Sequence, residues 1–319
     1  MPVLSTASTR TYTARIADSR EEIRAAQRLR ATVFAGELGA DLTAAHGADQ
    51  PKHRDAAPQH QPRRPQHAPM GTAARQHIDE RRRPGDGRAQ HEAVRAEHEV
   101  PSAERAGLNA GHGVPSAGHA GLDADAFDEL CDHLVVTHEP TGELVGTYRI
   151  LPPNRSPVPY SSTEFDLADL APLADDIVEA GRSCVAPAHR NGSVITLMWS
   201  ALARYTLLAG HRYLGGCASV PLGDGGHAAT SVWHLASTRH ASPPEYRVRP
   251  YRPWLPPHAA DHPRYADLPP LLRGYLRLGA WVCGPPAHDP DFDVADFYVL
   301  LPLADVDDRY LRYLLGDDR

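Results

Sequence analysis

Apolar positions fall into two patterned blocks separated by a long stretch without periodicity. Between residues 10 and 40, Ile23, Ala26, Leu29, Val33 and Phe34 recur at helical spacing, and Arg30 lies among them. Asp18 or Ser19 is placed to cap this helix, and Gly36 or Gly39 to end it. Pattern returns at Phe127. CDHLVVTHE and ELVGTYRIL are β-rich runs around Pro140-Thr141-Gly142, which predicts a hairpin. IVEAGRSCV (177–185) predicts a third strand, PAHRNGS (187–193) a loop, and 194–210 a helix with Val194, Leu197, Met198, Ala201, Tyr205 and Leu208 on one face. YLGGCASV (213–220) predicts a strand, GHAATSVWHLASTRH a helix and EYRVRPY a strand. Residues 252–270 are Pro- and His-rich and predict a loop; GAWVCG and ADFYVLLPL predict the last strands, and VDDRYLRYLL a short closing helix. The order gives a mixed α/β domain with a strand–loop–helix unit at its centre.

The intervening stretch changes the picture of domain organisation. From Ala35 to Ala126 there is no aromatic residue and no Cys, yet residues 41–121 hold nine of the 19 His. VPSAERAGL at 100–108 is echoed by VPSAGHAGL at 114–122, a period of 14 residues that is too short and too apolar-poor for a solenoid. Such a segment cannot bury enough apolar surface to offset its chain entropy. The expectation is a folded domain formed by 1–40 and 122–319, interrupted by a disordered low-complexity insertion at 41–121. No Cys joins these His, so no metal site is assigned there.

Charge and cysteine content exclude several classes. The 319 residues carry a net charge of −7, which argues against a nucleic-acid binder relying on a basic surface. No run of about 18 apolar residues encodes a membrane span, and the first residues lack the apolar core of a secretory signal. Cys131, Cys184, Cys217 and Cys283 form no CxxC pair and sit in or beside apolar runs, the usage of free buried thiols in a reducing, cytoplasmic compartment. DPDFD (289–293) lacks the Gly and Glu of an EF-hand, and GDGGH (223–227) does not match a dinucleotide loop.

The candidate chemistry lies in EAGRSCVAPAHRNGSVI. A strand ends at Val185 and a loop with Arg190, Asn191, Gly192 and Ser193 opens into a helix. A helix N-terminus offers unpaired N–H groups, Gly192 allows close backbone approach and Arg190 adds a guanidinium, together an anion cradle suited to a pyrophosphate or a phosphopantetheine phosphate. An ordinary βα turn is the competing reading.

RLRATVFAGELGADL, GLDADAFDELCDHLVV, GTYRIL, YSSTEFDL, EAGRSCVAPAHRNGSVITLMW, YLGGCAS and the block from Pro269 to Leu301 occur in that order. They closely resemble the ornithine-lipid-forming N-acyltransferases (L-ornithine N-alpha-acyltransferases) of the GNAT superfamily, apart from the insertion. More distantly, the chain is similar to acyl-homoserine-lactone synthases, although the Trp those enzymes carry after the first helix is absent. The resemblance implies a GNAT-like fold and transfer of a (3-hydroxy)acyl group from acyl carrier protein to the α-amine of ornithine by direct aminolysis of the thioester. It implies an acyl-phosphopantetheine co-substrate, no tightly bound cofactor, no metal, and contact with the inner membrane leaflet through the product lipid. The alternative is a GNAT enzyme that uses acetyl- or acyl-CoA on another amine; a non-enzymatic ligand-binding module is a third reading.

Aminolysis needs a base, a donor to the carbonyl oxygen and partners for the substrate's charges. Glu179 is the first candidate base, with a Glu179–Arg182 ion pair as its structural alternative. In a regular strand Arg182 would point away from Glu179, and a bulge would change this. Asp132 is a candidate for the amine, and His133 for a second base or a strand-end His bonded to backbone. By the resemblance, Arg30 and Phe34 match the R-x-x-x-F of the first helix, Asp128 or Asp132 the acidic pair, and Arg149 the Arg ending the hairpin; Arg30, Phe34, Asp128 and Arg149 are substrate-binding candidates. Backbone N–H groups near Cys184 and Val185 are candidates for the oxyanion contact. Arg190, Arg204 and Arg212 are expected to form a basic collar for the acidic carrier protein.

Overall fold

A computed structural model describes residues 7–38, 121–257 and 263–307, with positions 309 and 312. In chain order the elements are β1 (Ala7–Ser8), β2 (Tyr12–Ile16), α1 (Arg20–Leu38), β3 (Asp132–His138), β4 (Glu143–Leu151), β5 (Phe165–Asp166), β6 (Ile177–Val185), α2 (Gly192–Leu208), β7 (Tyr213–Pro221), α3 (His227–Arg239), β8 (Arg249–Pro250), α4 (Pro270–Arg277), β9 (Trp281–Val282), β10 (Ala287–Asp289) and β11 (Val294–Pro302). Nine strands form one mixed sheet in the order β1-β2-β3-β4-β6-β7-β11-β10, with β9 also on β11; β5 and β8 pair separately.

The helix ends follow from local chemistry. At the start of α1, the Glu22 N–H donates to Ser19 Oγ at 3.3 Å while the Asp18 N–H donates to Glu22 Oε2 at 3.0 Å, so orphan donors are satisfied reciprocally. Asn191 caps α2 by accepting from the Val194 N–H at 3.1 Å. Leu197, Met198, Ala201, Leu202 and Tyr205 of α2 pack on Leu134, Val136, Tyr148 and Ile150. Strand alternation sends His133, Val135 and Arg149 toward the other face, where α1 lies against β3, β4 and β6. A second core joins α3 and α4 to β7 and β11 through Val232, Leu235, Leu272, Leu276, Phe297 and Val299.

The hairpin, the strand at 177–185, the helix that follows it and the strand at 213–220 form as the sequence predicts. The predicted strand EYRVRPY is reduced to β8, preceded by a single turn at Pro244–Tyr246. Pro243, Pro244 and Pro250 each lack the N–H that a continuous ladder needs. GAWVCG pairs only over Trp281–Val282. The region read as loop ends in α4, whose first residue is Pro270; Pro is favoured there because a first-turn N–H has no helical partner. Strands β1, β2 and β10 were not predicted, being short or at the sheet's edges. The expected insertion and most of the closing helix lie outside the described residues.

Candidate active site

The central feature is a split between β6 and β7. These parallel strands pair only over Ile177–Glu179 with Tyr213–Gly215. Gly216 follows at φ +149°, and a Cβ there would come within 2.2 Å of the Ala180 carbonyl oxygen, so the backbones touch at the point where they part. On its other side β6 carries an irregularity between its pairings with Thr147 and Arg149, and Arg182 lies at φ +51°. This bulge brings Arg182 toward the same segment as Glu179, where regular alternation would have opposed them. The split opens into a cavity of about 790 Å³ lined by Gly181–Val185, Gly215–Ser219 and residues from α1, α2, α4 and β11.

A closed ring of alternating charge borders this cavity. Arg30 contacts Asp123 at 2.8 Å and Asp128 at 2.6 Å; Arg149 contacts Asp128 at 3.2 Å and Asp125 at 2.6 Å; Arg182 contacts Asp125 at 3.6 Å and Asp123 at 2.8 Å. Each Asp therefore bridges two Arg, and three cations balance three anions. A reciprocal cap holds the acids in place: the Phe127 N–H donates to Asp125, and the Asp125 N–H to Asp128. Burial alone would raise the Asp128 carboxyl, but Arg30 and Arg149 overcome it and hold it well below the usual carboxylate range. Arg149 and Arg182 line the cavity and also lie over the Tyr160 ring, at 4.8 and 5.6 Å. Arg30 is fully buried behind them, while Phe34 of the same helix reaches the cavity wall.

Glu179 lies beside this ring without joining it. Its carboxylate accepts from the Tyr160 N–H at 2.6 Å, the Ser161 N–H at 2.7 Å and the Ser161 hydroxyl. Arg182 pairs with Asp123 and Asp125, and no Glu179–Arg182 ion pair is seen among the described residues. Burial pushes the Glu179 carboxyl up, against the pull of its hydrogen bonds to Ser161 and Tyr160. Both Ser161 and Glu179 line the cavity, and the Cys217 thiol donates to Ser161 Oγ at 3.3 Å.

Two further groups complete the wall. Tyr148, Trp199, Leu202, Leu271 and Tyr275 form an apolar end, with the Tyr148 and Tyr275 hydroxyls hydrogen-bonded. Glu164, Asp289 and Asp296 form an acidic one, beside Phe292 and Ser219. Arg190, Asn191 and Gly192 meet the cavity at the N-terminus of α2. The Arg190 Nε donates to the Val185 carbonyl at 3.1 Å, and a Cβ at Gly192 would meet no atom within 4 Å. That open space beside first-turn N–H groups suits a phosphate oxygen.

The other expected residues divide between the cavity wall and its surroundings. Asp132 is held by Arg155 at 2.7 Å and by the Tyr205 hydroxyl at 2.6 Å, and does not line the cavity. His133 is buried, contacts the Asp128 carbonyl at 3.0 Å, and is kept toward its neutral form by burial. Cys184 and Val185 line the cavity on the edge of β6 beyond its pairing with β7. Ser193 sits in the first turn of α2 outside that lining. The expected basic collar does not assemble: Arg190 and Arg212 flank opposite ends of α2, about 25 Å of helix apart. Arg212 is taken up by Asp176. Asp123, Asp125, Tyr160 and Ser161 were missed as site residues, although GLDADAFD and YSSTEFDL contain them. Their dense polar composition was a signal; the fold alone shows what they face.

The acetyltransferase (GNAT) domain family matches residues 108–200. An L-ornithine N(alpha)-acyltransferase of Rhizobium meliloti (strain 1021) is 32% identical over 211 residues, 61% of this chain and 71% of that protein. One of Agrobacterium fabrum is 34% identical over 215 residues, 61% of this chain and 72% of that protein. Among solved structures, the acyl-homoserine-lactone synthase LasI has a TM-score of 0.42 at 12% identity, covering 96% of this chain and 95% of that one. No helix of the described residues is long and apolar enough to cross a membrane. With its mixed α/β architecture and GNAT domain, and with relatives aligned over more than two thirds of their length, the chain is an acyltransferase that belongs to the L-ornithine N(alpha)-acyltransferase family.

Proposed function

We propose that the enzyme moves a (3-hydroxy)acyl group from acyl carrier protein to the α-amine of ornithine, giving a lyso-ornithine lipid. The observation that carries this reading is the single cavity at the β6–β7 split, which joins the α2 N-terminus and an apolar end to a polar end rich in Arg and carboxylate. The phosphopantetheine arm would enter along Arg190, Asn191 and Gly192, with its acyl chain against Trp199, Leu202 and Tyr275. The thioester oxygen would face the β6 edge at Cys184 and Val185, whose backbone supplies the polarising N–H. The amino acid's carboxylate would meet Arg149 and Arg182 at the cavity wall.

The amine must shed one proton before attack. The Ser161 hydroxyl donates to Glu179 and both residues line the cavity, so in this reading the proton passes to Ser161 Oγ as that hydroxyl gives its own to Glu179. Burial raises the Glu179 carboxyl, which strengthens it as a proton acceptor. Nitrogen then bonds to the carbonyl carbon, the C–S bond breaks, and the amine's second proton goes to the departing thiolate. The product lipid would bring the enzyme to the inner leaflet as a cytoplasmic, peripheral protein.

The test is an assay of purified enzyme with 3-hydroxyacyl carrier protein and a panel of amines, read by mass spectrometry. Acyl-ornithine should form, with kcat lowered about 10²- to 10⁴-fold in Glu179→Gln and lowered also in Ser161→Ala. Turnover with CoA thioesters alone, or with another amine alone, would replace the donor or acceptor named here. Full activity in Ser161→Ala would remove the relay.

A further inference from the structure

We propose that Glu164, Asp289 and Asp296 form a subsite for the distal alkylammonium group of the acceptor amino acid. The inference rests on the reading that the cavity receives an amino acid, and it names what would select a diamino acid over a neutral one. All three side chains line the cavity, and their exposures are 8%, 4% and 3%. Glu164 Oε2 is buried and accepts from no donor of the protein. A buried carboxylate oxygen without a donor is costly, and a ligand that brings N–H groups removes the penalty.

The surroundings agree. Asp289 Oδ1 accepts from the Asp291 N–H at 2.8 Å, which fixes the β10–β11 turn and sets Phe292 at the wall beside the acids. Phe292 gives a methylene stem an apolar surface. Ser219 donates to Asp296 at 2.5 Å, orienting that carboxylate from the neighbouring strand. Arg182 stands near but is engaged by Asp123 and Asp125, so the charge-balanced ring leaves no spare cation for this end. Burial first, then the charge of Asp296 and a hydrogen bond to it, then Asp289, push the Glu164 carboxyl up to about 10, against the weaker pull of Arg182.

Ornithine and norvaline share a carbon skeleton and differ in the distal ammonium, so they isolate this contact. Equilibrium binding of each is to be measured by calorimetry on the full chain, as wild type, Asp296→Asn and Glu164→Gln, with acyl transfer followed in parallel by mass spectrometry. Wild type should prefer ornithine by about tenfold or more, the worth of a buried charge-assisted hydrogen bond. Each variant should bring the preference to within about threefold. The preference is a ratio within one variant, so a general loss of folded protein cancels. Equal binding by wild type, or a preference kept by both variants, overturns the subsite. A carboxylate-dependent preference without acyl transfer keeps the subsite and rejects the proposed reaction. Acylation of ornithine without that preference does the reverse.

Discussion

At the scale of single residues, the site is governed by how buried charge is balanced. Arg30, Arg149 and Arg182 alternate with Asp123, Asp125 and Asp128 so that no charge in the ring lacks an opposite neighbour. Removing one partner of a buried pair leaves an uncompensated charge, typically a loss of about 3–5 kcal/mol. Asp123→Asn should therefore lower unfolding free energy by about that amount, measured by urea titration, since Asp123 bridges two buried arginines. The ring also gives the fold an acid limb. Because the native Asp128 carboxyl is held low, its contribution is complete above the unfolded pKa, near about 4, and is lost as pH falls below that. Thermal midpoints followed from neutral pH down to about pH 2 should fall steeply below about pH 4, and Asp128→Asn should flatten that limb. Arg30, Asp128, Arg149 and Arg182 were legible in the sequence through charged motifs. Asp123 and Asp125 were not singled out, because a run of alternating Asp and Ala reads equally well as solvated surface.

At the scale of elements, the site depends on two strands that part. Sequence pattern located both, with boundaries within a residue of the structure. It could not show that their pairing stops after three residue pairs, because pairing partners are set by the approach of distant segments. The bulge at Arg182 was anticipated as a condition, and it decides which face that side chain joins. Gly216 marks the parting point. Gly216→Ala puts a Cβ against the Ala180 backbone at a φ that L-residues rarely adopt, and backbone cannot yield as a side-chain tip can. We expect the variant to lose about 2–4 kcal/mol of stability, or to force the strands apart and lose acyl transfer, read by denaturant melts alongside the assay. Wild-type stability together with wild-type activity would show that the contact yields more easily than its 2.2 Å distance implies.

At the scale of the whole molecule, two sequence blocks build one sheet. The Asp123 N–H donates to the Gln27 carbonyl at 3.2 Å, so the second block starts beside the middle of α1. The C-terminal half of α1 then spans about 16 Å. Deleting residues 46–118 would leave nine residues between Leu38 and Gly121, a reach of about 33 Å and ample for that gap. The shortened chain should stay soluble with a thermal midpoint within about 3 °C of the full chain. Loss of soluble protein would show that the deleted stretch contributes to the fold. Its expected disorder rests on composition, since residues 39–120 lie outside those described.

The amino-acid sequence by itself determined the central hairpin and the strand–loop–helix unit, and it singled out Glu179, Arg149 and Arg182, which the fold places on one cavity wall. Those features are local: periodicity, capping and turn residues act within a few positions of chain, and motifs keep their spacing. Tertiary structure decided the rest. It set aside Asp132 with Arg155 and Tyr205, enclosed His133, dispersed the expected basic collar and gave Glu179 to Ser161 rather than to Arg182. It also drew Glu164 to one wall with Asp289 and Asp296, more than a hundred residues further along the chain. Their meeting depends on which strands neighbour each other in the sheet and where β6 and β7 separate, and burial there leaves the Glu164 Oε2 without a donor.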